Sequence, residues 1–170
     1  MSVFDELVGF WGGADGRRAS VVGVGSDIRG DEGLGLRVID YLKEKGLEDV
    51  LLVRAETRPE NFVGLLQRFR ATHILIVMSV ELGGRPGEVR FIPFQSDGEK
   101  TRSRIFHETP LQTLSHFLEI RERARVKFLA VQPRSTFYGV KLTLEMDKTA
   151  RDLADVIAGS LKDSPGVIHA

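Results

Sequence analysis

The chain contains no cysteine. That excludes disulfides, thiolate zinc sites, iron–sulfur clusters and cysteine nucleophiles, and it suits a reducing cytoplasm. Net charge is also missing, because Lys plus Arg is 24 and Asp plus Glu is 24. Such a balance gives no broad attraction to nucleic acid or to an anionic membrane, so neither is an expected partner. Long hydrophobic runs are absent as well. The longest, residues 74–80, includes a serine and falls far short of the ~18 residues that a membrane span needs. Asp5 and Glu6 interrupt the start, where a secretory signal requires a basic and then an apolar segment. A cytoplasmic location is the expectation. What the chain does have is 170 residues with 42% hydrophobic content, enough for one sizeable core. A single domain over 1–170 is expected: a helical extension at 1–17, an α/β core at 18–162 and a flexible tail at 163–170.

The most informative stretch runs from Ser20 to Leu42, SVVGVGSDIRGDEGLGLRVIDYL. A β-branched run ends in a glycine-punctuated loop that carries Asp31 and Glu32, and a helical pattern with Val38, Ile39 and Leu42 follows. Further strands are predicted at 50–53, 73–80, 88–92 and 126–131. The most apolar, 73–80, reads as central, and 88–92 follows a Gly-Gly-Arg-Pro-Gly turn, which predicts a hairpin. Helices are predicted at 59–70, 110–121 and 148–161, and an amphipathic one at 2–11. Phe4 and Trp11 on that first helix would also suit a partner-docking surface. Strands alternating with helices imply a three-layer α/β/α sandwich, its sheet mostly parallel and roughly five-stranded, with one antiparallel hairpin edge.

In open α/β sheets the binding crevice lies at the carboxyl ends of the strands, where the Asp31–Glu32 loop falls. A phosphate-binding role fits poorly. Two carboxylates occupy the approach, and no Gly-Lys-Ser/Thr is present. One acid is expected to cap the following helix and the other to face the cleft. Glu32 with His107, which lies just before a helix start marked by Thr109 and Pro110, would make a mixed oxygen–nitrogen pair for a borderline divalent cation. Between them in sequence, the aperiodic loop 93–106 carries Lys100, Arg102 and Arg104, suited to gripping a substrate tail.

GVGSDIRGDEGLG resembles the signature of hydrogenase maturation endopeptidases, Gly-x-Gly-Asn-x-(two residues)-Gly-Asp-(Asp/Glu)-Gly-x-Gly. Later segments are similar in the same order: Thr57-Arg58-Pro59-Glu60-Asn61, His73-Ile74-Leu75-Ile76-Val77 leading to Pro86-Gly87-Glu88-Val89-Arg90, His107-x-x-Pro110-Leu111, and Val131-Gln132-Pro133. The resemblance implies an endopeptidase that removes a C-terminal extension from the precursor of a nickel–iron hydrogenase large subunit once nickel is in place. It further implies that the nickel is carried by the substrate, that no cofactor is stored, and that Glu32 and His107 engage the metal. No Ser/His/Asp or Cys/His arrangement is visible, which leaves a metal-polarised carbonyl or an activated water for the attack.

The chain departs from the signature in three places. Met78 stands where the family has an aspartate after the central strand, and a neutral thioether cannot replace a carboxylate. Arg54-Ala55-Glu56 replaces Asp-Gly-Gly, and Ser26 replaces the loop asparagine. Glu56 or Glu81 could supply the missing carboxylate. The alternative is a maturation factor that binds the precursor without cutting it, activity having gone with the aspartate.

Overall fold

The computed structural model describes residues 1–13, 16–92, 118, 123–139 and 141–164. Helix α1 (Val3–Trp11) begins with a reciprocal cap: Ser2 Oγ accepts from Asp5 N at 3.1 Å, and Asp5 Oδ2 accepts from Ser2 N at 3.2 Å. Leu7 and Trp11 of α1 are fully buried, and the Trp11 indole donates to Ser160 Oγ at 3.0 Å. Trp11 is therefore core, which overturns the reading of α1 as a docking helix presenting that ring.

Strands β1 (Ala19–Val24), β2 (Val50–Glu56), β3 (His73–Ser79), β4 (Val89–Ile92) and β5 (Arg125–Val131) form one sheet in the order β2-β1-β3-β5-β4. The first four in that order run parallel, and β4 pairs antiparallel with β5. The antiparallel edge is present, but its partner differs from the expected hairpin. The long apolar β5, with Phe128 to Val131 buried, takes the place beside β3, while the short, half-exposed β4 suits the edge. The chain crosses the end of β5 to reach it, and Gln132 N donates to Glu88 O at 2.8 Å on the way.

Alternate strand residues face opposite layers. Val21, Leu75, Val77, Leu129 and Val131 pack against α2 (Leu34–Glu44) and the long C-terminal helix, which begins earlier than its apolar spacing predicts. Val22, Ile74, Ile76 and Phe128 pack on the other side, with Leu66 of α3 (Val63–Phe69) and Leu118. A 3-10 turn at Pro59–Phe62 precedes α3, so the predicted helix at 59–70 is two pieces. The C-terminal helix, α4 (Leu144–Asp163), is capped by Thr143, whose Oγ1 accepts from Met146 N at 3.4 Å. Most of the predicted 110–121 helix lies outside the described residues. No helix among the described residues is long and apolar enough to cross a membrane.

Two details fix the ends of the sheet. At the carboxyl end, a Cβ on Gly35 would collide with the carbonyl oxygens of Val24 and Val77, so α2 begins in direct contact with β1 and β3. At the opposite end, His73 is buried edge-on to Phe10, ring centroids 5.5 Å apart, with its Nδ1 at 2.9 Å from Thr72 Oγ1. Burial, with Arg125 and Arg17 nearby, pushes the imidazole down to about 4.

Candidate active site

The glycine loop leaves β1, turns through a 3-10 segment at Gly30–Gly33 and enters α2. Its two acids have separate fates. Asp31 is fully buried, and its carboxylate faces inward to the segment after β5. Oδ2 accepts from Arg134 N at 3.0 Å and Ser135 N at 2.9 Å, and Oδ1 accepts from Thr143 N at 2.8 Å and Thr143 Oγ1 at 2.9 Å. In return, Asp31 N donates to Ser135 O at 2.8 Å. A carboxylate so completely satisfied repays its burial and has a structural role. The expected side-chain cap is not found: the N-cap of α2 is Gly33, which has no side chain to cap with.

Glu32 is the acid that keeps contact with solvent. Its side chain is 34% exposed and lies 3.7 Å from Arg29 Nε. Its backbone is fixed by two constraints: Glu32 O accepts from Ser26 N at 3.3 Å, and Gly25 passes against that same carbonyl at φ 154°. A Cβ on Gly25 would overlap the Glu32 oxygen, so only glycine admits this turn.

Met78 is half-buried beside Ala130 of β5 and packs on the α3 layer of the core. Ser79 follows it, and its hydroxyl is buried with no hydrogen-bond partner. Arg54 is not a free charge at the cleft. Its guanidinium donates to Asp27 Oδ2 at 2.7 Å and Asp40 Oδ1 at 3.2 Å, and lies 3.4 Å from Glu56 Oε1. The hydrogen bond to Asp27, more than any other contact, holds this guanidinium above its ordinary value. Glu56 is therefore engaged by Arg54. Glu81 accepts from Gln132 Nε2 at 2.8 Å and from Gly83 N at 3.2 Å. Gln132 Oε1 in turn accepts from Leu82 N at 2.6 Å, so the Gln-Pro motif organises the loop after β3. Only that dipeptide marked this role in the sequence.

His107, and the loop 93–106 with Lys100, Arg102 and Arg104, lie outside the described residues. Among the described residues no group of three or more His, Asp or Glu side chains is placed to hold a metal ion.

A mostly parallel α/β sheet thus carries the glycine loop and Glu32 at the carboxyl end of its strands. The family model described as hydrogenase maturation protease, HycI, matches residues 36–160, and the chain belongs to that family. It is a hydrolase of the protease type. The crystal structure of a NiFe hydrogenase maturation protease HycI from Thermococcus kodakarensis KOD1 superposes with a TM-score of 0.81 at 27% identity, covering 93% of this chain and 99% of that one. The hydrogenase 3 maturation protease of Escherichia coli K12 is 28% identical over 110 residues, 65% of this chain and 69% of that protein. A Methanocaldococcus jannaschii protein named as a candidate hydrogenase maturation protease is 26% identical over 152 residues, 83% of this chain and 89% of its own length.

Proposed function

We propose that this protease acts in the cytoplasm on the precursor of a nickel–iron hydrogenase large subunit, removing a C-terminal extension after nickel insertion. The observation that carries the reading is the division of labour between Asp31 and Glu32. One carboxylate is consumed by four donors, while the next, on a backbone locked by Gly25, keeps a partly exposed side chain at the carboxyl crevice. Glu32 supplies an anionic oxygen and His107 an imidazole nitrogen, a donor set that suits a borderline divalent cation. Nickel belongs to the substrate, and no stored cofactor is part of the proposal.

The third position is Met78. Glu56 and Glu81 both have partners already, in Arg54 and Gln132, so neither is idle. The precursor's own cysteines, which hold the nickel, leave Glu32 and His107 as the two groups contributed by this chain. Binding then requires the metal in the precursor. The test follows the mass of a nickel-loaded precursor mixed with the purified protein. Loss of a C-terminal fragment, abolished by Glu32→Ala and by His107→Ala, supports the proposal. A stable complex without cleavage would favour a precursor-binding factor instead.

A further inference from the structure

Apart from the terminal Met1, the large hydrophobic side chains exposed among the described residues are Ile28 at 53%, Phe137 at 77%, Tyr138 at 76% and Leu144 at 90%. They are spread over 117 positions of the chain, yet the fold gathers them onto two segments that are bonded together. Gly139 N donates to Ile28 O at 2.6 Å, directly after Tyr138. Asp31, three residues beyond Ile28, clamps Arg134 and Ser135 on one side of the aromatic pair and Thr143, which adjoins Leu144, on the other. The four side chains thus stand on a braced scaffold. The scaffold is also the one that presents Glu32, the residue following the clamp.

Exposed apolar residues scattered singly need no explanation, but these are carried by two segments bonded to each other, one of which continues into Glu32. Aromatic side chains are enriched at protein interfaces because they bury much area for few torsions, and a handful of such anchors carries most of the binding energy. A carboxylate and an imidazole on one metal ion cannot by themselves hold a folded precursor in register. We infer that Ile28, Phe137, Tyr138 and Leu144 form a docking ridge for an apolar segment of the large-subunit precursor, next to the point where Glu32 meets the metal. This rests on the reading given under Proposed function. The continuity of the ridge with Glu32 through the Asp31 clamp selects that partner over a second copy of this chain.

The experiment measures the dissociation constant for a nickel-loaded large-subunit precursor with the full-length protein, the double variant Phe137→Ala/Tyr138→Ala, the single variant Leu144→Asp, and a control, Lys43→Ala, at the far end of α2. All replaced side chains are exposed, so the thermal midpoints should agree with that of the unaltered protein. The ridge predicts at least tenfold weaker binding for both ridge variants and unchanged binding for the control. Binding within twofold of the unaltered protein for both ridge variants would overturn it. So would a double variant that loses self-association, seen by sedimentation, while keeping its grip on the precursor. Failure of the unaltered protein to bind the precursor would instead sink the proposed function, and the ridge with it.

Discussion

The Arg54 guanidinium donates to Asp27 Oδ2 at 2.7 Å, and that contact ties β2 to the glycine loop. With Asp40 at 3.2 Å and Glu56 at 3.4 Å, one cation serves three carboxylates drawn from the loop, α2 and β2. The charge that looks disruptive against the family signature is thus neutralised where it stands. Replacing Arg54 by alanine leaves three acids without their shared cation. Because these groups are partly solvated, the expected loss is ~1 kcal/mol, smaller at high salt. Urea unfolding at low and high ionic strength checks both the size and the salt trend.

Asp31 predicts a larger effect. Asp31→Ala strands the amides of Arg134, Ser135 and Thr143 and opens a buried space. Each unsatisfied buried donor costs about 1–3 kcal/mol, and partial relaxation toward water limits the sum to roughly 3 kcal/mol. Amide hydrogen exchange at Ser135 and Thr143 should accelerate together. A midpoint unchanged in urea would contradict the clamp.

Gly25→Ala is expected to be severe, since the added methyl meets the Glu32 carbonyl and the backbone is held at φ 154°. Either the loop moves, displacing Glu32, or the fold weakens by several kcal/mol (about 2–4). Precursor cleavage should fall in both cases. Thermal unfolding separates them.

His73 gives the pH prediction. Its folded value of about 4 lies below the unfolded value of 6.5, so the unfolded chain takes up a proton that the folded one refuses. Stability from this group is fully present above pH 6.5, declines as pH falls through the window to about 4, and changes no further below it. The ceiling on this loss is ~3 kcal/mol, from 1.36 kcal/mol per pH unit. Urea midpoints at pH 7 and pH 5 measure the slope, which His73→Gln should flatten whatever it does to stability at pH 7.

The layers of the fold are legible in the sequence because each strand is a short apolar run and each helix an amphipathic one. Where β4 pairs is not, since the Gly-Gly-Arg-Pro-Gly turn is equally compatible with a hairpin and with a crossing over β5. The start of α4 escapes periodicity because Leu144 is 90% exposed and Glu145 and Asp147 are polar; Thr143, its cap, is the better marker. At the site, the sequence singles out Glu32 over Asp31 but does not show what becomes of Asp31. The burial of Asp31 depends on Arg134, Ser135 and Thr143, more than a hundred positions away, closing over it. Arg54 is misleading for the same reason, its three acids being brought to it only by the fold.

The most direct measurement compares one precursor in two states, nickel-loaded and nickel-free, each incubated with the unaltered protein and followed by mass. Shortening of the nickel-loaded precursor alone is the expected result, obtained with Met78 in place of the family's aspartate. Equal cleavage of both precursors, or cleavage of neither, would contradict a protease that reads nickel in its substrate.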